Sequence, residues 1–361
     1  MSDHPYRGLP EQAYWRRAVV GRGPAIDPVA GPFLRLDPTD KVATAGSCFA
    51  QNIARYLKRS GFGYLVSETA HPIIPPAVAE RHGYGLYSAR YGNIYTARQL
   101  LQLIERAYGR FMPSVDIWDA PGWGGRVVDP FRPTVEPEGY ASAAELHADR
   151  AWHLACVREM FETLDVFVFT LGLTEAWESV EDGAVYPVCP GVAGGRFDPA
   201  AHRFRNFRVS EIVADLSAFV AALRAVNPAA RIILTVSPVP LVATASGNHV
   251  LSATTYSKSA LRAAAQELCE DLPAVHYFPS YEIIMGAPAG ARYFAEDMRN
   301  VTEEGVAHVM SVFMRHAAGI EAAPATASVS PDALEEDETL SAARDWVRLM
   351  CDEALLDDGP D

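Results

Sequence analysis

The residue of this sequence best suited to nucleophilic chemistry is Ser47, which follows a short apolar run and Gly46. Helical periodicity begins directly after it, over residues 51–60, so the pattern predicts a strand, a sharp turn and a helix. A hydroxyl at that turn faces unpaired N–H groups and the positive end of the helix dipole. This position favours a nucleophile beside half of an oxyanion hole. The alternative is that Ser47 serves only as the N-cap of the helix.

A serine nucleophile needs a neutral base within hydrogen-bond reach, and histidine is the usual choice. His249 lies in the loop after a buried strand predicted at 231–237, and we predict it as the base. His71, in a proline-rich loop after another predicted strand, is the alternative base. A buried Lys258 that loses its proton and a site without a base stay open as well. Cys48 is a rival nucleophile, because a thiolate at a helix amino terminus is activated.

Strands and helices alternate along the chain and must position these side chains. Apolar runs predict the strands, and apolar residues at helical spacing predict the helices. Beyond the first strand, which ends at Gly46, the predicted strands are 61–66, 165–172, 231–237 and 275–278, and the main predicted helices are 51–60, 97–108, 143–163, 209–226 and 302–317. This alternation is typical of a doubly wound α/β fold.

Two insertions interrupt the alternation. Residues 111–140 are irregular and rich in proline, glycine and aromatic side chains, which predicts a folded flap beside the site. Trp118 and Trp123 of this flap could stack on a sugar ring or could only anchor the loop to the core. Residues 176–208 have the character of a hairpin.

Composition excludes several classes of protein. The 361 residues are 49% hydrophobic, which suits a globular protein with a sizeable core and fits no transmembrane class. The amino terminus lacks a basic segment followed by an apolar one, so we expect no secretory signal, no membrane insertion and a cytoplasmic protein. The five cysteines are scattered without a CxxC pair, and no His, Asp or Glu cluster has ligand spacing. We therefore expect no disulfide framework, no metal and no cofactor.

The charge is concentrated at the carboxyl end of the chain. Residues 331–361 hold eleven acidic and two basic side chains, which account for -9 of the net charge of -14. Neither the whole chain nor the remaining body suits a phosphate-backbone binder, so we exclude nucleic acid as a partner. The predicted organisation is an N-terminal arm over 1–40, one domain over 41–317, and a linker with an acidic tail over 318–361.

Residues 46–50 spell Gly-Ser-Cys-Phe-Ala, the signature of the GSCFA family, and further blocks resemble that family in order. These blocks are 92–96, 170–177, 237–239, 256–259, 279–282 and 297–299. On this resemblance the chain is identified as a member of the GSCFA family from about residue 40 to residue 317. The family resembles the SGNH (GDSL-like) hydrolases. That likeness implies a flavodoxin-like three-layer α/β/α sandwich with a mainly parallel sheet, here with aromatic-rich insertions.

The same resemblance implies roles for two polar blocks. Gly92 would supply the second oxyanion donor and the Asn93 side chain a third, although a plain turn into the next helix would also explain them. Thr174 and Glu175 stand where SGNH relatives have other polar residues. Thr174 would donate through its hydroxyl. Glu175 would orient a base or bind a substrate hydroxyl and would face away from the oxyanion.

The last block departs from the pattern of SGNH relatives, which supply their base from a terminal Asp-x-x-His. Here the block begins at Asp297, and Asn300 occupies the histidine position. Asparagine cannot act as a general base at neutral pH. The resemblance therefore leaves Asp297 to orient a base from elsewhere, for which we predict His249.

The implied activity is that of an SGNH-like serine esterase or O-acyltransferase with an acyl-Ser47 intermediate. The implied partner is a small-molecule or glycan acyl ester. A rival interpretation, prompted by Asn300, is a non-catalytic glycan-binding or scaffold protein on the same fold.

Overall fold

The computed structural model describes residues 4–31, 33–122, 124–319 and 355–356. The strands are β1 Val42–Gly46, β2 Trp118–Asp119, β3 Val127–Val128, β4 Val166–Leu171, β5 Glu175–Ser179, β6 Val185–Tyr186, β7 His202–Asn206, β8 Arg231–Val236 and β9 Val275–Phe278. The helices are α1 Trp15–Ala18, α2 Ala50–Arg59, α3 Pro76–Arg81, α4 Ala97–Ala107, α5 Ala143–Thr163, α6 Val209–Val226, α7 Val250–Asp271, α8 Ser280–Met285 and α9 Glu303–Phe313, with a 3-10 turn at Glu11–Ala13 and a π-helical turn at Met314–Ala318.

The described residues divide into two compact units. One unit joins the chain up to Leu36 with the segment that begins at Phe278, and the other runs from Asp37 to Tyr277. The predicted division into an arm, a domain and a tail stays a prediction. The linker and acidic tail predicted over 318–361 lie outside the described residues, except for residues 318, 319, 355 and 356.

A four-stranded sheet in the order β1-β4-β8-β9 forms the centre of the larger unit. β1, β4 and β8 pair in parallel, and β1 and β4 are buried along their whole length. Helices flank the sheet: α2 packs against β1 and β4, and α7 packs against β8. The prediction of an α/β fold with a mainly parallel sheet is confirmed.

The strand predicted at 61–66 is reduced to a single parallel bridge between Val42 and Tyr64. Val42 exchanges hydrogen bonds with Gly63 and Leu65 at 3.0 and 2.9 Å, and then the chain leaves the edge of the sheet. With this bridge counted as a strand, the order along the sheet is 2-1-3-4-5 in chain sequence, the flavodoxin-like order. The point where the order reverses lies between β1 and β4.

The helices α5 and α6 have the bounds predicted from the sequence. At the start of α5, the Ser142 hydroxyl accepts a hydrogen bond from the Glu145 N–H. Such a cap satisfies a backbone donor that the first turn leaves unpaired. α4 begins with a capping box between Thr96 and Gln99. α4 packs against α5 and α6, so these caps help to fix the helices of this layer.

Both insertions form small antiparallel sheets. β2 pairs with β3 in residues 111–140, and β5 lies between β6 and β7 in residues 176–208. Trp118 is only 5% exposed, and its ring centroid lies 4.8 Å from that of Tyr186. This tryptophan therefore anchors one insertion to the other. The predicted stacking of Trp123 on a sugar concerns a residue outside the described ranges.

The smaller unit contains α8, α9 and the π-helical turn after α9. Its amino-terminal segment is tied to that turn, since Asp27 contacts both Arg315 and His316 at 2.8 Å. The ring of Phe33 packs against Phe278. No helix in the described ranges of the chain is long and apolar enough to cross a membrane.

Candidate active site

Ser47 lies on a tight turn between β1 and α2. Gly46 ends β1 with a φ of +132°, a conformation that residues with a Cβ rarely adopt. A Cβ at Gly46 would lie 2.3 Å from the carbonyl oxygen of Thr170 on β4. The Ser47 N–H donates to the same oxygen at 3.2 Å. The close approach of the two strands therefore holds Ser47 at the carboxyl edge where the strand order reverses, the usual ligand site of such sheets.

The Ser47 side chain is 3% exposed, and its Oγ has no hydrogen-bond partner among the described residues. The structure assigns the N-cap of α2 to Phe49, without a side-chain cap. Ser47 therefore does not act as the cap that was the alternative reading of the sequence. A buried hydroxyl without a partner costs free energy, so the Ser47 hydroxyl does not contribute to stability.

The loop with Gly92 and Asn93 lies directly beside this turn. The Ile94 N–H donates to the Gly46 carbonyl oxygen at 2.9 Å, which fixes the loop to the end of β1. Gly92 has a φ of +68°, and its N–H donates to no other described residue. Of the backbone donors predicted for the oxyanion hole, the Gly92 N–H is thus uncommitted, whereas the Ser47 N–H is bound to Thr170.

Two further side chains orient Asn93, and neither was predicted from the sequence. The Tyr87 hydroxyl donates to Asn93 Oδ1 at 2.6 Å, and Gln51 Nε2 donates to the Tyr87 hydroxyl at 3.1 Å. All three residues are buried. Gln51 lies in the first turn of α2, four residues after Ser47, so this chain links the Ser47 turn to Asn93 through side chains as well as backbone.

The loop after β4 forms the opposite wall. A Cβ at Gly172 would lie 3.2 Å from the Ser47 Cβ, so the loop backbone packs directly against the serine. The N–H groups of Gly172 and Leu173 both donate to the Tyr95 carbonyl oxygen at 3.0 Å. The Thr174 hydroxyl donates to Asn206 Oδ1 at 2.7 Å. In this arrangement the predicted Thr174 donor is committed to β7, and its role toward an oxyanion stays a prediction.

Two neighbouring residues of α7 hold this wall in position. Ser257 Oγ accepts a hydrogen bond from the Thr174 N–H at 3.0 Å. Lys258 is 1% exposed, and its Nζ donates to the Gly172 carbonyl oxygen at 2.7 Å. The buried lysine amine thus contacts the residue that packs against Ser47, which fits either a positioning role or the role of base considered from the sequence.

We expect Lys258→Met to lower stability by about 1.5–3 kcal/mol, because the substitution keeps the apolar stem and removes a hydrogen bond from a charged donor. Urea unfolding measures the loss. Lys58→Met is the matched control, since Lys58 Nζ also donates to a glycine carbonyl, that of Gly85, but from an exposed position. Equal losses in both variants would contradict a role specific to Lys258.

Among the described residues of the larger unit, the other predicted side chains form no hydrogen bond with the Ser47 hydroxyl. Glu175 Oε1 accepts a hydrogen bond from the Thr244 hydroxyl at 2.6 Å, so its carboxylate binds the loop after β8. His249 is exposed and caps α7, with Nδ1 accepting the Leu251 N–H. His71 is exposed too, and its Nδ1 accepts a local N–H. Neither histidine is hydrogen-bonded to Ser47 here.

Asp297 belongs to the smaller unit, where it organises a tight turn. Its Oδ1 accepts the N–H groups of Arg299 and Asn300 at 3.0 and 2.9 Å, and the Asn300 side chain donates to its Oδ2. Met298 between them has a φ of +55°, which is uncommon for a residue with a side chain. The predicted pairing of Asp297 with His249 stays a prediction. In the described ranges, no group of three or more His, Cys, Asp or Glu side chains could hold a metal ion.

A buried charge network of Glu68, His153 and Arg132 holds the backbone at Arg90, two residues before Gly92. Glu68 Oε2 accepts the Arg90 N–H and contacts His153 Nδ1, both at 2.7 Å, and Glu68 is fully buried. Burial alone would raise the pKa of Glu68, but the adjacent His153 and Arg132 hold it below its ordinary value. Burial lowers the pKa of His153, and Arg132 lowers it further. Sequence reasoning missed these residues, which lie far apart along the chain.

This network predicts loss of stability in acid. Both groups have a pKa that is lower in the folded chain than in the unfolded one, so the unfolded chain binds more protons as the pH falls. We expect the melting temperature to fall below pH 6.5, the ordinary pKa of histidine, and to fall further below 4.5, that of glutamate. Glu68→Gln should lower stability by about 2–4 kcal/mol at pH 7 and flatten the lower part of this dependence.

Glu138→Gln is the control for the acid dependence. Glu138 forms an ion pair with Arg81 in which both side chains are more than half exposed. Such pairs contribute little, so this variant should stay within about 0.5 kcal/mol of the wild type. A melting temperature that is constant between pH 7 and pH 4 would contradict the account of the network.

The geometry can be set beside known proteins. The model of the GSCFA family matches residues 41–313. The chain belongs to the GSCFA family. The blocks that resemble this family in the sequence all lie within the matched residues, so the Ser47 turn and the Gly92 loop are parts of the GSCFA match. A comparison with curated proteins gives no match.

Among solved structures, the chain is similar to a carbohydrate esterase family 3 protein from Talaromyces cellulolyticus. The identity is 11%, the TM-score is 0.33, and the alignment covers 76% of this chain and 94% of that one. It is also similar to an acetyl esterase mutant with an acetate ion, at 12% identity and a TM-score of 0.30. That alignment covers 75% of this chain and 92% of the other.

Proposed function

We propose that this protein is a serine-dependent acyl-ester hydrolase or O-acyltransferase that works through an acyl-Ser47 intermediate. The observation that carries the proposal is the buried Ser47 hydroxyl without a hydrogen-bond partner, at the edge where the strand order reverses. Ser47 Oγ would attack the carbonyl carbon of the ester, and the Gly92 N–H would stabilise the oxyanion that forms. Membership of the GSCFA family, which resembles the SGNH hydrolases, supports this reading.

The proton of Ser47 must pass to a base, and no described residue forms a hydrogen bond with the Ser47 hydroxyl that would identify this base. His249 remains our first candidate and His71 the second, and either would have to approach Ser47 when substrate binds. Lys258 is the third, because its buried amine contacts Gly172 beside Ser47. A pH profile separates the candidates. Loss of the histidine base should remove an ascending limb near pH 6–7 from kcat/KM.

The acyl group leaves Ser47 when a second nucleophile attacks the acyl-enzyme. Water as that nucleophile gives a hydrolase, and a docked sugar hydroxyl gives a transferase. We propose a small acyl ester or an acylated glycan as the substrate, as the resemblance to SGNH enzymes suggests. In both reactions the leaving alcohol takes up the proton that the base removed from Ser47.

A panel of short-chain chromogenic esters and acetylated sugars tests the proposal. We expect saturable turnover by the wild type, and turnover that appears only with an added sugar would indicate the transferase. The absence of turnover with every ester and acceptor would favour a glycan-binding or scaffold protein. The observation that favours this second candidate is that no described residue accepts the Ser47 proton.

A further inference from the structure

Arg106, near the end of α4, is a buried arginine whose guanidinium makes no hydrogen bond or ion pair with any described residue. It is 8% exposed, and its Cζ lies 3.7 Å from the centroid of the Phe131 ring. A guanidinium has five N–H donors, and buried donors normally find acceptors. Two neighbouring arginines follow this rule, since Arg132 and Arg150 each donate to Asp129 at 3.0 Å.

Arg106 lines a small recess, which we call the Arg106 recess. Its walls include Asn93, Ile94, Gln99 and Gln102, and no carboxylate lines it. Ile94 links the recess to the Ser47 turn, because its N–H donates to the carbonyl oxygen of Gly46, the residue before Ser47. Its cavity volume is about 20 Å³. A cavity of that size has room for one small group and not for a sugar ring.

The polar atoms around the Arg106 recess are mainly donors. Gln102 is fixed as a wall, because its amide donates to the Gly183 carbonyl and accepts the Val185 N–H. Gln99 Oε1 accepts the N–H groups of Tyr95 and Thr96, and its amide nitrogen donates to no described residue. A site with unpaired N–H donors, a cation and no carboxylate favours a small anion.

The nearby carboxylate of Asp129 forms no ion pair with Arg106, and its Oδ2 is bound by Arg132 and Arg150. Burial lowers the pKa of Arg106 to about 10, so the guanidinium keeps its charge at neutral pH. A planar fork of donors matches a planar carboxylate in a bidentate arrangement.

We propose that the Arg106 recess is a subsite for a carboxylate of the ester substrate, which is thus an acidic ester. This inference rests on the proposed function for the identity of the ligand. The carboxylate belongs either to a sugar acid that bears the acyl group or to the acyl chain itself. The recess would hold it through Arg106 and would set the ester carbonyl beside Ser47.

Binding of small acids to the wild type tests whether the recess prefers a carboxylate. It also separates the two sources of that carboxylate, the sugar acid and the acyl chain. Affinity is measured from thermal shifts at constant ionic strength for glucuronate against glucuronamide, and for monomethyl succinate against dimethyl succinate. We expect at least one acid to bind ten times more tightly than its neutral partner. Preference for glucuronate indicates a sugar acid, and preference for monomethyl succinate indicates an acidic acyl chain. If each acid binds the wild type with the same affinity as its neutral partner, or if none of the four compounds binds, the proposed subsite is overturned and no variant is needed.

Variants assign a confirmed preference to Arg106. Arg106→Gln should abolish the preference for the acid, and Arg106→Lys, which keeps the charge but loses the fork, should weaken it at least threefold. Arg110→Gln is the matched control, because Arg110 lies just beyond α4 in an exposed pair with Glu105. It should bind like the wild type. If Arg106→Gln folds and keeps the preference for the acid, the assignment is overturned. If only Arg106→Lys folds, a preference at the strength of the wild type overturns it.

The failures of the two proposals are distinguishable. Ester turnover with no preference for acids removes the subsite and leaves the proposed function. Acid binding through Arg106 in a protein that turns over no ester removes the proposed function and the link to an ester, but leaves an anion site.

Discussion

Ser47→Ala is expected to lower kcat for any ester substrate by at least about 10³-fold, because the variant lacks the atom that forms the acyl-enzyme. It is also expected to be as stable as the wild type or about 1 kcal/mol more stable. The Ser47 hydroxyl is buried without a hydrogen-bond partner, so its removal deletes an unsatisfied polar group. Activity that is kept at the expense of stability is typical of active sites.

The control for this prediction is Thr170→Val. Thr170 on β4 also has a buried hydroxyl without a partner, and valine has nearly the same shape. Its backbone carbonyl still accepts the Ser47 N–H in the variant. Thr170→Val should therefore share the gain in stability and keep the activity. Kinetics and urea unfolding of both variants decide the matter, and an active Ser47→Ala protein would exclude Ser47 as the nucleophile.

Gly46→Ala is expected to cost more than about 4 kcal/mol, or to prevent folding, because its Cβ would meet backbone atoms that cannot move apart cheaply. The Cβ would lie 2.3 Å from the Thr170 carbonyl oxygen and 2.7 Å from the Thr170 nitrogen. Relief would require β1 and β4 to separate at the edge that holds Ser47. Soluble yield and urea unfolding measure the loss.

Gly85→Ala separates the steric clash from the backbone conformation. Gly85 has a φ of +77°, but a Cβ there would meet nothing within 4 Å. This variant should lose only about 1–2 kcal/mol, the usual cost of a left-handed conformation for a residue with a side chain. Equal losses at the two glycines would contradict the close approach of β1 and β4.

Local features of the sequence predicted the elements of the sheet and the position of Ser47. β4 is apolar at almost every position and α6 repeats apolar residues at helical spacing, so each pattern fits one type of element. The Gly46-Ser47 pair ends an apolar run directly before a helix. Such signals depend on neighbours in the chain and not on distant partners.

Distant pairings could not be predicted in the same way. Lys258 reaches Gly172 across 86 positions, and Glu68 reaches His153 across 85. Nothing in the spacing of these residues indicates such a contact, because it depends on how elements pack after they form. The strand predicted at 61–66 was wrong for a related reason. This edge segment pairs with β1 through a single bridge at Tyr64, and the pairing of an edge segment depends on tertiary context more than on local preference.

The central claim is that Ser47 is the nucleophile, and covalent labelling tests it most directly. The wild type is treated with a fluorophosphonate probe. Tandem mass spectrometry of the labelled peptide then shows whether the adduct is on Ser47 or on Cys48. We predict one adduct per chain, on Ser47, and none in Ser47→Ala. An adduct on another residue, or unchanged labelling of Ser47→Ala, would contradict the account.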